Sequence, residues 1–252
     1  LFKLTLLGTG AVGGVPLYGC ECEACLRAYS DDSWRREPCS AMVEWEGDAR
    51  HCLLIDAGLM DLHHRFPAGS YDGFLLTHYH VDHVQGLFHL RWGNTAPIPV
   101  WGPDDPDGCA DLLKHPGCLS FNPPLSDGKP FVLDGLTITP VALNHSKPTF
   151  GYLFHCACKT FAYLTDTDGL PEQTTTLLES IDQIDVLVID CSFAPNDKGN
   201  NHNNLVTAVA ISQRIQPKRF VLTHVGHRLD HWLMHHPIPE GIELGADGMT
   251  FL

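Results

Sequence analysis

Short apolar runs closed by turn-forming residues recur along the whole chain. Lys3 to Leu7, Cys52 to Ile55, Phe74 to Leu76, Pro99 to Trp101, Leu136 to Val141, Thr160 to Leu164, Val186 to Ile189 and Phe220 to Leu222 have the length and boundaries of strands. Helical periodicity is confined to Val84 to Trp92, Gly108 to Lys114, Thr174 to Ser180 and Leu205 to Ile215, the last with Asn203 or Asn204 as its cap. Gly102 to Gly108 and Phe121 to Pro130, dense in proline and glycine, read as loops. No repeat or low-complexity tract interrupts the pattern. Strand-rich halves with interspersed helices predict an α/β or α+β fold in which two sheets pack together with helices outside. A chain of 252 residues can bury a sizeable core, and a single domain over residues 1–252 is expected.

Ligand-type side chains gather where the apolar runs stop. Phe74-Leu75-Leu76 leads almost at once into His78, His80, Asp82 and His83. Side chains so crowded cannot be each other's only partners away from water, and a metal ion resolves the conflict. His145 follows Val141 to Asn144, Asp166 follows Phe161 to Thr165, and His224 follows Phe220 to Thr223. Taken singly each reads as a turn or capping residue, but strand ends on one sheet edge converge on a point. Imidazole nitrogens and carboxylate oxygens suit two divalent ions about 3.5 to 4 Å apart, with Zn, Mn, Fe and Ni all acceptable. In an extended segment His78 and His80 point to one side, while Asp82 and His83 open the following helix and face a second ion.

Cys20, Cys22 and Cys25, in a C-x-C-x2-C run, supply three thiolates to one tetrahedral ion, with the fourth ligand drawn from elsewhere. An N-terminal Cys-rich zinc loop at 18–25 is therefore expected. Cys156 and Cys158, beside His155, read as reduced strand residues. His51, His63, His64, His89, His115, His231, His235 and His236 match no motif and read as surface or internally satisfied histidines.

Charge and hydropathy narrow the partners. Sixteen Lys+Arg against 30 Asp+Glu leave a formal net charge of −14 and no basic block, which disfavours nucleic acid as the main partner and leaves small anions open. No run approaches the roughly 18 apolar residues of a membrane span. The opening "LFKLTLLGTGAVGG" reads as a strand and glycine turn rather than a signal peptide. A cytoplasmic location follows as an expectation, with the ten cysteines serving as metal ligands and reduced thiols.

The run His78-Tyr79-His80-Val81-Asp82-His83 has the H-x-H-x-D-H form of the metallo-β-lactamase superfamily. With Asp56-Ala57-Gly58 before it and His145, Asp166 and His224 after it, essentially the whole chain resembles that superfamily. The resemblance implies an αββα sandwich in which His78, His80 and His145 hold one metal, Asp82, His83 and His224 the other, and Asp166 bridges. Within the superfamily, "YGCECEAC" (Tyr18 to Cys25), "LNHSKPTFGYLF" (Leu143 to Phe154) and "LTHVGHRLDHWL" (Leu222 to Leu233) are similar to the branch near transfer-RNA 3′ processing endonuclease. There the likeness is to the phosphodiesterases of the carbon-phosphorus lyase pathway of phosphonate degradation.

That second likeness implies a structural zinc on Cys20, Cys22, Cys25 and His227, with Cys39 and His231 as alternative fourth ligands. It also implies a homodimer, two active-site cations (Mn or Zn), and a small phosphorylated sugar as substrate. The implied reaction opens 5-phosphoribosyl 1,2-cyclic phosphate to ribose 1,5-bisphosphate by attack of a metal-held hydroxide. His202, ahead of the Leu205 helix, either caps that helix or donates the proton to the departing sugar oxygen, the role the resemblance implies. Asp82 is a further catalytic candidate, orienting the hydroxide. The alternatives are a transfer-RNA endonuclease, which the acidic composition disfavours, and a thioester, lactone or β-lactam hydrolase on the same scaffold.

Overall fold

The computed structural model describes residues 1–252 and resolves the apolar runs into two seven-stranded sheets. The first contains β1 (Phe2–Gly8), β2 (Ser40–Glu46), β3 (Arg50–Ile55), β4 (Gly73–Leu75), β5 (Ile98–Trp101) and β6 (Leu119–Phe121). The second contains β7 (Phe131–Leu133), β8 (Leu136–Ala142), β9 (Phe150–Cys156), β10 (Lys159–Leu164), β11 (Val186–Asp190), β12 (Arg219–Thr223) and β13 (Ile242–Leu244), and β14 (Thr250–Phe251) returns beside β1. The helices are α1 (Glu23–Ser30), α2 (Leu62–Arg65), α3 (Val81–Leu90), α4 (Ala110–Lys114), α5 (Glu172–Glu179), α6 (Leu205–Ile215) and α7 (His227–Leu233).

Alternation along each strand assigns its side chains to two cores. In β12, Val221 faces the opposite sheet while Phe220 and Leu222 face the helices; in β11, Val188 turns inward and Leu187 and Ile189 outward. Between the sheets Leu4, Leu6, Trp45, Leu53 and Ile55 share a core with Tyr152, Phe154, Phe161 and Tyr163. Leu178 of α5, Leu205, Ala208 and Ile211 of α6, and Leu229 of α7 cover the outer face of the second sheet. Val84 and Leu87 of α3 and Leu112 of α4 cover the first. The layers make an αββα sandwich. Strands β10 to β13 run parallel, and β10, β11 and β12 are buried on both faces, which explains their apolar runs, whereas the edge strand β13 carries Glu243.

Strand direction places the chemistry. Strands β3 and β4 are parallel, and β8, β10, β11 and β12 all point one way within their sheet, so the residues after them emerge at one edge. Helix α3 starts at the exposed Val81, ahead of the first buried apolar position Val84, because His80 remains extended and leaves Asp82 in the first turn. Asn204, not Asn203, caps α6: its side chain accepts from the Thr207 N–H at 3.0 Å. Phe121 closes β6 instead of opening a loop, and α1 and α7 arise where the sequence showed only a cysteine run and a ligand. No helix is long and apolar enough to cross a membrane.

Candidate metal centre

Three strands end in the same unusual way. Asp56 directly after β3, Asp166 just beyond β10 and His224 directly after β12 have φ values of 61°, 62° and 53°. A left-handed residue turns the chain sharply, and aspartate and histidine are among the non-glycine types that tolerate it best. The turn swings each side chain back across the shared edge, where all three are buried.

The converging atoms fall into two groups joined by one carboxylate. His78 Nε2 lies 2.8 Å from His80 Nδ1, which lies 3.0 Å from His145 Nε2; Asp166 Oδ2 is 3.6 Å from His78 Nε2 and from His145 Nε2. On the other side Asp166 Oδ1 is 3.4 Å from both His83 Nε2 and His224 Nε2, and Asp82 Oδ2 stands 3.4 Å from the former and 3.8 Å from the latter. Ligands about 2.0–2.2 Å from one ion at angles of 90° to 110° stand roughly 3 to 3.5 Å apart, close to these spacings. His83 Nε2 and His224 Nε2 are buried without a hydrogen-bond partner, a costly state for a polar atom and one that a cation relieves. The residues fit divalent metal ions, with Asp166 shared between the groups.

A further set of side chains fixes the imidazoles from behind. Asp56 Oδ2 lies 2.7 Å from His83 Nδ1 and accepts from Thr77 Oγ1 at 2.8 Å, while Asp56 Oδ1 accepts from the Thr77 N–H at 2.7 Å. An ionised carboxylate only accepts, so Nδ1 carries the proton and Nε2 offers its lone pair to the centre. Thr77 Oγ1 also stands 3.0 Å from His78 Nδ1. Across the site, His224 Nδ1 is 2.8 Å from Ser192 Oγ, which donates to Asp190 Oδ1 at 3.0 Å. Sequence reasoning gave Asp56 no role and overlooked Asp190 and Ser192. The signal was there, since Asp56 and Asp190 each close an apolar run as Asp166 does.

The Asp56-Ala57-Gly58 turn also sets the register of α3. Ala57 N–H donates to the His83 carbonyl at 2.7 Å and Gly86 N–H to the Ala57 carbonyl at 2.8 Å. A Cβ on Gly58 would run into the Asp82 carbonyl oxygen, so only glycine lets this turn approach the helix start that carries Asp82 and His83.

Burial and neighbouring imidazoles hold His78 and His80 below the ordinary histidine range, and burial does the same for His145, leaving lone pairs free to coordinate. Burial opposes charge on His83 as well, yet Asp166 and Asp56 raise its pKa well above the ordinary value. Burial likewise opposes ionisation of Asp82 and Asp166, but His224 and His83 hold both carboxyls below the usual range. The pocket is a sink for positive charge. His202 stands at its rim, Nδ1 2.7 Å from Asp190 Oδ2, its ring stacked on His224 at a centroid distance of 4.7 Å. Burial disfavours its charge, but Asp190 outweighs that effect and lifts its pKa to about 9.

Cys20, Cys22, Cys25 and His227 also come together, with His227 Nδ1 at 3.3 Å from Cys20 Sγ and 3.6 Å from Cys22 Sγ. The two alternative fourth ligands lie elsewhere. Cys39 is buried against Tyr163 Oη and Thr165 Oγ1 at 3.2 and 3.3 Å, and His231 faces Glu23. Cys156 and Cys158 are free thiols; Cys156 ends β9 as expected, but Cys158 lies in the two-residue turn before β10 and not in a strand. His51 is paired with Asp134 at 2.6 Å, while His63 packs at a tilt against His64 and His89 away from the centre.

Known proteins resemble this chain. A PhnP-family diphosphatase of known crystal structure is 27% identical, with a TM-score of 0.82 over 99% of this chain and 96% of its own. Zn(2+)-bound PqqB from Methylobacterium extorquens, 19% identical with a TM-score of 0.78 over 99% of each chain, shares the fold. The Porphyromonas gingivalis octanoyltransferase is 28% identical across 98% of this chain and 51% of its own length. The chain thus spans about half the length of that curated relative, and its match to coenzyme PQQ synthesis protein B of Bradyrhizobium diazoefficiens, 34% identical, covers 36% of the relative. The Beta-lactamase superfamily domain matches residues 51–225, from the strand before Asp56 to the residue after His224. The chain therefore belongs to the metallo-β-lactamase superfamily.

Proposed function

We propose that residues 1–252 form one binuclear metal-dependent phosphodiesterase domain. It hydrolyses 5-phosphoribosyl 1,2-cyclic phosphate to ribose 1,5-bisphosphate in cytoplasmic phosphonate catabolism. The observation that carries this reading is the divided Asp166 carboxylate, one oxygen toward each ligand group, with a histidine–aspartate pair beside it. In this assignment His78, His80 and His145 hold one cation, Asp82, His83 and His224 the second, and Asp166 both; manganese or zinc suits the mixed nitrogen and oxygen donors. When bound, such a pair supplies an acidified water and neutralises phosphoryl charge. Cys20, Cys22, Cys25 and His227 hold a separate structural zinc.

The chain's own residues divide the remaining work. Asp56 and Ser192 keep the ligand imidazoles in their coordinating tautomers, and Asp82 orients the attacking water. His202, held protonated by Asp190, gives its proton to the sugar O2 as the bond from phosphorus to O2 breaks and a bond from phosphorus to the water oxygen forms. A cavity of about 550 Å³ opens beside His145 and carries Lys147, its one lysine, which now stands 3.3 Å from Asp105 and would turn to the 5-phosphate.

Phosphorus NMR tests the reading: the cyclic phosphate, incubated with manganese-loaded protein, is expected to become ribose 1,5-bisphosphate while a precursor transfer RNA and a thioester stay intact. An inert cyclic phosphate beside a cleaved control would refute the substrate assignment. Likeness to a diphosphatase favours a second reading, hydrolysis of a phosphoric anhydride on the same centre, and a nucleoside diphosphate belongs in the same experiment.

A further inference from the structure

Helices α1 and α7 pack against each other, and the Cys20, Cys22, Cys25 and His227 group sits at one end of their seam. Continuing along the seam, His231 lies one helical turn beyond His227, and His235 one turn beyond that. The turn persists past the end of α7 because Met234 N–H donates to the Asp230 carbonyl at 3.2 Å and His235 N–H to the Trp232 carbonyl at 3.1 Å. Residues four apart on a helical path share a face. Both imidazoles therefore point toward α1, where Glu23 follows Cys22.

Three donor atoms meet there. Glu23 Oε2 lies 2.6 Å from His235 Nε2 and 3.9 Å from His231 Nδ1, and the three atoms fall within 4.8 Å of one another. The histidine rings stand 5.3 Å apart at 80°, so their lone pairs cross instead of running side by side. An ordinary surface ion pair would account for Glu23 and His235 alone. It leaves His231 Nδ1 shielded from solvent with no hydrogen-bond partner. A cavity of about 450 Å³ runs along this face, lined by Cys22, His227, His231 and His235 among others, and gives access from solvent.

We propose that Glu23, His231 and His235 form a third metal locus, a solvent-exchangeable site for a borderline ion such as Zn²⁺, Co²⁺ or Ni²⁺. Two imidazoles and one carboxylate are a common donor set for such ions, with water completing the shell. The site holds its ion more weakly than the three-thiolate group, because its ligands are fewer, harder and half exposed. An ion there clamps α1 to α7 across the same seam that the cysteine group closes. The histidines that the sequence left as surface residues thereby gain a role.

The experiment counts ions by native mass spectrometry on untagged, metal-loaded protein equilibrated at nanomolar and then micromolar free zinc. One additional ion is expected at the higher concentration, together with a rise in Tm. Glu23→Gln and His235→Ala are each expected to lose that ion and the Tm rise, while keeping the ions held at nanomolar zinc. Cobalt added to the zinc-loaded protein should show ligand-field bands without the thiolate charge-transfer bands that the cysteine group would give. An ion count identical at both zinc levels overturns the proposal, as does an additional ion that survives in both variants. Neither result depends on the substrate the enzyme hydrolyses.

Discussion

Replacing Asp56 by asparagine changes one atom of a side chain that need not touch a metal, and it should disable half of the centre. Asp56 accepts three contacts of 2.7 to 2.8 Å, from Thr77 N–H, Thr77 Oγ1 and His83 Nδ1. In Asp56→Asn the retained oxygen can still serve the Thr77 N–H, which leaves the new amide facing His83 Nδ1. An N–H facing an N–H is repulsive, so the imidazole shifts its proton to Nε2 and turns its lone pair away from Asp82 and Asp166. Losing a partner of this kind typically weakens metal binding roughly 10- to 100-fold, or about 1.4 to 2.7 kcal/mol. Chelator competition with a zinc indicator should show one of the two active-site affinities reduced by that factor and the other retained. Hydrolysis of bis(p-nitrophenyl) phosphate should fall at limiting metal and recover partly in excess. Two unaltered affinities in a folded Asp56→Asn protein would falsify the tautomer assignment.

Other outcomes follow from neighbouring residues. His202→Ala should lose about 10²- to 10⁴-fold in turnover with metal content unchanged; intact turnover would remove His202 from the mechanism. With its pKa near 9, His202 is about 90% protonated at pH 8, whereas at the ordinary value of about 6.5 it would be about 3% protonated. Asp190→Asn should therefore depress turnover roughly 30-fold at pH 8 and little below pH 6, and parallel pH–rate profiles for the two proteins would contradict the pairing. His227→Ala should release one zinc and lower Tm by about 5 °C or more, leaving the active-site pair bound; an unchanged zinc count would place the fourth ligand elsewhere.

The parts of the molecule legible in the sequence were those under a double constraint. Strands β10, β11 and β12 are buried on both faces, so their apolar runs were unbroken, and each closed on a functional carboxylate or imidazole. Strand β2 was hidden because Glu44 interrupts its apolar residues, and β9 because Gly151 does. Helix α7 was illegible for another reason: its sequence, His227 to Leu233, is largely polar, and only packing on α1 and the second sheet makes it a helix. The residues that could contact a metal were announced by crowding in "HYHVDH", whereas Asp56, Asp190 and Ser192 act through other side chains and lacked that signal. Which histidine joins the cysteines was equally a matter of approach between distant segments, decided by the α1–α7 seam.

The left-handed turns at Asp56, Asp166 and His224 bear on how this protein can change. A non-glycine residue in that conformation costs on the order of 1 kcal/mol or more, so each position carries a small standing pressure toward glycine or asparagine. A library screened for heat resistance in the absence of metal would climb in that direction and shed Asp56, Asp166 and His224 one at a time. Screening in the presence of metal should reverse the gradient at the proposed ligands Asp166 and His224, because a bound ion would reward the strained side chain. Any directed-evolution campaign on this scaffold therefore chooses between robustness and chemistry by the contents of its buffer.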